Sequence, residues 1–190
     1  INVIKSNERG QTKINWLDSK HSFSFGDYFD EKRMGFKTLK VFNDDVIKGG
    51  QGFDFHPHRN FEIITIVLDG AVKHKDSLGN EGIINKGEIQ RITAGSGIYH
   101  SEHNASKTAP LHLLQIWVEP NAKNLKPSYD QIKYDLKENN ITKVVSGKKE
   151  KDSMFINQDA EFFLGKYSEN KNISLELKKG EGIYFFVIEG

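Results

Sequence analysis

The stretch GGQGFDFHPHRNFEIITIVLDG, residues 49–70, decides how the rest of the chain is read. It holds His56 and His58 one residue apart, then a run rich in Ile and Val, then the turn signal Leu68-Asp69-Gly70. Side chains at i and i+2 of a strand share a face, so a strand through His-Pro-His aims both imidazoles the same way. A second stretch, GEIQRITAGSGIYHSEHN (residues 87–104), places His100 and Glu102 in the same relation. Two such strands side by side bring three imidazoles and one carboxylate together. That donor set suits a first-row transition metal such as Fe, Ni, Cu, Mn or Zn. Four protein donors leave up to two positions of an octahedral ion for substrate and dioxygen. A lone His-x-His is common by chance. The metal reading rests on two pairs, joined by a β-rich segment with glycines at its turns.

All seven histidines fall between positions 21 and 112. His103 has the opposite strand parity to His100 and reads as structural or exposed. His74, in His-Lys-Asp after the Gly70 turn, reads as a supporting or surface residue rather than a ligand. His112 lies in an apolar run and reads as a hydrogen-bonded structural residue. His21, in SKHSFSF, is open between packing and a specific interaction. Phe53, Phe55 and Tyr99 are candidates for cavity wall, although plain core is the simpler reading of each.

Composition bounds the rest. The chain has 190 residues, room for one large or two small domains and for a core that needs no staple. The net charge of +1 argues against a nucleic-acid-binding domain, which shows a strongly basic face. Cysteine is absent, so disulfides, thiol catalysis and Cys-ligated metals are excluded. The same absence agrees with a cytoplasmic protein. No apolar run approaches the roughly 18–20 residues that cross a bilayer, and INVIKSNERG is too polar for a secretory signal. The chain ends on FFVIEG, inside an apolar run, which reads as the end of a fragment.

Short apolar runs recur between glycine-bearing turns: LKVFNDDV, FEIITIVL, EGIINKGEIQRI, HLLQIWVEP, AEFFLGKY, ISLELK and IYFFVIE. This spacing predicts an all-β sandwich or barrel with little helix. The polar, Lys-rich segment between about 120 and 150 reads as a connection holding a short element, anchored by Tyr129, Ile132, Tyr134 and Leu136. The VLDG of the first half is echoed by the terminal VIEG, a hint of a duplicated barrel.

Residues 49–70 resemble the first cupin motif, carried by Gly50, His56, His58 and Glu62, and residues 87–104 resemble the second, carried by Gly87, Gly95, His100 and Asn104. More narrowly, HPHRNFE, HKDSLGN, GEIQRITAGSGI and HSE, with WLDSKHSFSFGDYFD and FNDDVIKGGQGF upstream, look like the pirin family. The resemblance is strong over about residues 5–120 and weak beyond. It implies a bicupin: a metal-binding barrel over 1–125, a connection over 126–145 and a partial second barrel over 146–190. It implies the ligand set His56, His58, His100 and Glu102; ordinary cupins take Glu62 instead, and Glu62 shares the strand parity of His58. The implied cofactor is a divalent metal, Fe(II) first, with Zn, Ni, Cu, Mn or Co as alternatives. The implied activity is quercetin 2,3-dioxygenation, in which a flavonol and O2 react with release of carbon monoxide and Glu102 serves as general base. The alternative is an iron-dependent redox regulator that acts through a protein partner, with no direct nucleic-acid or membrane binding; a structural zinc is a third reading.

Overall fold

The apolar runs become fourteen strands in the computed structural model, which describes residues 1–190. In chain order they are β1 (Gly10–Lys13), β2 (Leu17–His21), β3 (Leu39–Ile47), β4 (Gly52–His58), β5 (Glu62–Asp69), β6 (Ala71–Asp76) and β7 (Glu81–Asn85). They continue with β8 (Glu88–Thr93), β9 (Ile98–Asn104), β10 (Leu111–Val118), β11 (Ser128–Lys133), β12 (Asn140–Ser146), β13 (Met154–Phe155) and β14 (Glu161–Lys166). The only helical element is a 3-10 turn, Ser6–Glu8, so no helix is long and apolar enough to cross a membrane.

The first unit is a sandwich of a seven-stranded sheet, β1-β2-β3-β10-β5-β8-β11, and a four-stranded sheet, β4-β9-β6-β7. Leu17, Ile47, Val67, Leu111 and Leu113 of the large sheet meet Val72 and Ile84 of the small one. Ile63, Ile92, Ala94 and Ile98, with Trp117 against them, fill the end near the histidines. The other face of the large sheet is also covered. Ile64, Ile66, Ile89, Leu114 and Ile116 pack against Val144, Val145, Met154 and Ile156 of the second unit. This double cover is why β8 is buried along its whole length and β5 from Glu62 to Val67. A strand covered on both faces reads as a continuous apolar run rather than an alternating one.

The second unit is an open three-stranded sheet, β13-β12-β14. The segment expected as a connection is more ordered than its polarity suggests. Its strand β11 adds to the edge of the large sheet beside β8, with Tyr129 opposite Ile92 and Ile132 opposite Ile89, so residues 128–133 belong to the first unit's sheet. The runs ISLELK and IYFFVIE were expected as strands and form none. β propensity becomes a strand only where a neighbour completes the hydrogen-bond ladder. Tyr184 and Phe186 are still half-buried, with ring centroids 5.2 Å and 4.6 Å from that of Phe42. The VIEG echo therefore has no structural counterpart to the turn at Gly70, where φ is +81°.

Candidate metal centre

The site is built on β9 and its two neighbours. β4 pairs with it so that His56 stands opposite His100 and Phe53 opposite Glu102. Three steps on β4 thus match two on β9, a β-bulge between Phe53 and His56. The extra residue resets the strand's alternation: Phe53 packs into the core and His56 still faces inward beside His100. On the other side of β9, β6 sets His74 opposite Glu102 and Asp76 opposite His100.

The ligand-capable atoms of His56, His58 and His100 all lie within 4.8 Å of one another. Ring centroids are 4.5 Å apart for His56–His100 and 4.8 Å for each of the other two pairs. His56 Nδ1 sits 2.7 Å from the carbonyl oxygen of Asp54. A carbonyl only accepts, so Nδ1 carries the proton and Nε2 is the lone-pair nitrogen, the usual way a metal-binding imidazole is oriented. His58 packs edge-on to Trp117, with centroids 4.7 Å apart. His100 is fully buried and neither of its nitrogens has a hydrogen-bond partner. A buried polar atom without a partner is costly, and a metal bond removes that cost for one nitrogen. Burial first, and then the neighbouring imidazoles, lower the pKa of His58 and of His100 to about 3. Both rings are neutral at physiological pH, the form that binds a metal. The residues present fit a divalent transition metal.

Glu102 is 2% exposed, stands outside the group of three imidazoles whose ligand atoms lie within 4.8 Å of one another, and accepts hydrogen bonds from three side chains. Thr65 Oγ1 donates to Oε1 over 3.0 Å, the Gln90 amide donates to the same oxygen, and Gln115 Nε2 donates to Oε2 over 2.7 Å. Gln90, Thr65 and Gln115 are cross-strand neighbours on β8, β5 and β10, so one row of the large sheet holds the carboxylate. Sequence reasoning missed this row, though part of a signal was there: Thr65 and Gln115 interrupt the apolar stretches Ile63–Leu68 and Leu113–Val118, whereas Gln90 stands beside Arg91 in a mixed run.

Glu62, the rival carboxylate, lies on the opposite face of the large sheet from Thr65. It accepts from Thr93 Oγ1 at 2.9 Å and from Asn157 Nδ2 of the second unit at 2.9 Å. The parity it shares with His58 does not carry over, because β4 and β5 lie in different sheets and the chain turns between them at Asn60, where φ is +55°.

The remaining histidines fall into place around this core. His74 is completely buried behind His100, 5.6 Å between centroids, and stacks on Tyr129 at 4.5 Å. His103 stands 3.2 Å from Asp54 Oδ1. His112 Nε2 stands 2.7 Å from Asp44 Oδ1. His21 is tied to Asn43 at 2.9 Å and Thr12 at 2.8 Å. A cavity of about 390 Å³ opens beside the cluster, with His58, Arg59, Gly97, Ile98 and Tyr99 in its wall. Of the three aromatics considered for that wall, only Tyr99 lines it; Phe53 is core and Phe55 is 49% exposed.

Residues 3–118, which carry the three clustered imidazoles and Glu102 with its donors, match the Pirin family model. The chain belongs to the pirin family. Residues 143–190 match the model of the quercetinase C-terminal cupin domain, so the two units are those of a bicupin. A quercetin 2,3-dioxygenase of Escherichia coli K12 is 41% identical over 190 residues, covering 100% of this chain and 82% of the relative. A putative quercetin 2,3-dioxygenase of Mycobacterium tuberculosis is 47% identical over 135 residues, 71% of this chain and 55% of the relative. Among solved structures, the bacterial pirin YhhW of Escherichia coli in complex with nickel(II) superposes with a TM-score of 0.80 at 46% identity, over 84% of this chain and 68% of that one.

Proposed function

We propose that this pirin is a metal-dependent dioxygenase of flavonol-type substrates, with His56, His58, His100 and Glu102 as the metal ligands. The observation that carries the proposal is the three-imidazole cluster, one member of which, His58, forms part of the wall of an open cavity. A closed centre beneath a charged patch would favour the redox-regulator reading, and a sealed one a structural zinc. Fe(II) is the metal we assign. The nickel(II) bound by the Escherichia coli pirin supports a divalent ion, and the donor set also accommodates Zn, Cu, Mn or Co.

When bound, such a metal supplies Lewis acidity towards an ionised enol oxygen and a centre for dioxygen chemistry. The protein's own groups set the stage for it. The Asp54 carbonyl fixes the tautomer of His56, and Trp117 wedges His58. The row Gln90–Thr65–Gln115 holds Glu102. Oε1 of Glu102 accepts two hydrogen bonds and Oε2 only one, which leaves Oε2 a lone pair for the metal or for the enol proton. Glu102 is therefore assigned as general base for the flavonol hydroxyl. The products are a ring-opened ester and carbon monoxide.

The test is anaerobic reconstitution with Fe(II), exposure to O2 and quercetin, and detection of quercetin loss together with carbon monoxide. His56→Ala and His100→Ala are expected to lose metal and turnover while remaining folded. Stoichiometric metal in either variant would break the ligand assignment. A filled, oxygen-reactive iron site with no turnover would move the protein to the regulator reading.

A further inference from the structure

The cavity beside the imidazoles carries one charged side chain, Arg59, and no acidic residue in its wall. Arg59 directly follows His58, and its position is set in advance. The backbone N–H of Asn124 donates to Asn60 Oδ1 over 2.7 Å, and Asn124 Oδ1 accepts from the Arg59 guanidinium at 2.9 Å. The segment around Asn124 is itself pinned, because the Ser96 N–H donates to the Leu125 carbonyl over 2.9 Å. Asn124 is a neutral partner that takes one of the five N–H donors of the guanidinium, so the charge is held but not cancelled.

The rest of the wall carries no further charged side chain and includes Tyr99. Gly97 has φ +140° and open space where a Cβ would stand. Ile98 and Tyr99 follow it. On the proposed ligand set, a divalent ion, three neutral imidazoles and one carboxylate leave a net charge of +1 at the metal. Arg59, exposed to solvent, adds a second positive charge to the wall of the cavity that His58 also lines. A ligand that is negative only where it meets the metal leaves this second charge unanswered.

We infer that the physiological substrate is a planar aromatic or enolic acid, with ionisable enol or diol oxygens at the metal and a carboxylate further along the ring that Arg59 receives. Arg59 is then a specificity-determining residue, and the flavonol is a stand-in that fills the ring position without the second anion. The inference rests on the metal-site reading proposed above.

The experiment uses the full chain loaded with one equivalent of Ni(II). Calorimetry compares 3,4-dihydroxybenzoate with its methyl ester, which keeps the diol and the electron-withdrawing carbonyl but not the charge. The wild type is expected to bind the acid about tenfold more tightly than the ester, as a charge-assisted hydrogen bond to a guanidinium provides. In Arg59→Gln the ratio is expected to fall to about one, with metal content unchanged, and Arg59→Lys is expected to keep part of it. A wild-type ratio near one, or a ratio that Arg59→Gln leaves intact, overturns the inference while diol binding at the metal still stands. Failure of both ligands to bind the metal-loaded wild type overturns the metal-site reading as well.

Discussion

At the residue scale, the two carboxylates that a sequence reader would weigh as fourth ligand do different work. Glu102 lies opposite His74 on the next strand and is held by three donors, whereas Glu62 joins the first unit to Asn157 of the second. Glu102→Gln is expected to lower metal affinity by roughly 10–100-fold, read by competition with a chelator. Glu62→Gln is expected to keep stoichiometric metal and lower only the melting temperature; the reverse order would return the site to the ordinary cupin arrangement. Asp45 is a second residue with a consequence of its own. It is 3% exposed and accepts a hydrogen bond from the Ser19 hydroxyl. Burial, with Glu102 and Asp44 adding like charge, pushes its pKa up to about 7 from an ordinary 3.8. The folded chain therefore keeps this proton up to about pH 7, while the unfolded chain releases it near 3.8. The stability that Asp45 contributes is full below the lower value and is lost as pH rises through the upper one. Asp45→Asn mimics the protonated form. Its melting temperature is expected to fall less than the wild type's between pH 5 and pH 8, the difference corresponding to roughly 2–4 kcal/mol. Parallel melting curves for the two proteins would show that Asp45 does not titrate in this range.

At the scale of elements, the bulge in β4 and the turn before β9 place the three imidazoles. The turn holds two glycines at positive φ, Gly95 and Gly97, and Gly95 is the one with no room for a side chain. Gly95 sits at φ +49°, and a Cβ there would lie 1.9 Å from the carbonyl oxygen of Leu125. That oxygen accepts from Ser96, and the carbonyl of Gly95 accepts from Asn60, so both loops at the cavity mouth are tied through this point. Gly95→Ala is expected to cost roughly 2–4 kcal/mol from strain and clash together, seen as a lower midpoint in urea unfolding. Gly79→Ala has the strain alone, at φ +90° in open space, and should cost roughly 1 kcal/mol. Equal effects would mean that the Leu125 contact is unimportant. The elements themselves were largely legible. LKVFNDDV, FEIITIVL and HLLQIWV are β3, β5 and β10 in sequence order, and HPH and HSE do share one face. The bulge was not legible, because Asp54 and Phe55 bear no mark that one of them is extra until β9 lies alongside.

At the scale of the whole molecule, the large sheet is shared between two units. Its inward face carries the polar row under Glu102, and its outward face carries the apolar layer that meets β12 and β13. Met154 is 1% exposed in that layer. Met154→Ala is expected to destabilise the protein by about 2–5 kcal/mol with a single unfolding transition and unchanged metal content. Two separate transitions would show that the units fold independently. The segment beyond Lys166 follows the same logic from the other side: Tyr184 and Phe186 find the core, but no ladder forms to make their runs strands.

The sequence by itself determined the β class and the same-face pairing of His56 with His58, because residue type and two-residue alternation are local properties that each strand carries with it. It also pointed to the unit that holds the imidazole cluster, since all seven histidines fall between positions 21 and 112. The tertiary structure alone decided that Glu62 turns away from the imidazoles, that β11 belongs to the large sheet, and that Thr65, Gln90 and Gln115 meet at one carboxylate. Each of these depends on which strands become neighbours and on the turn or bulge that resets alternation between them. Those are relations between distant segments, which no single segment encodes.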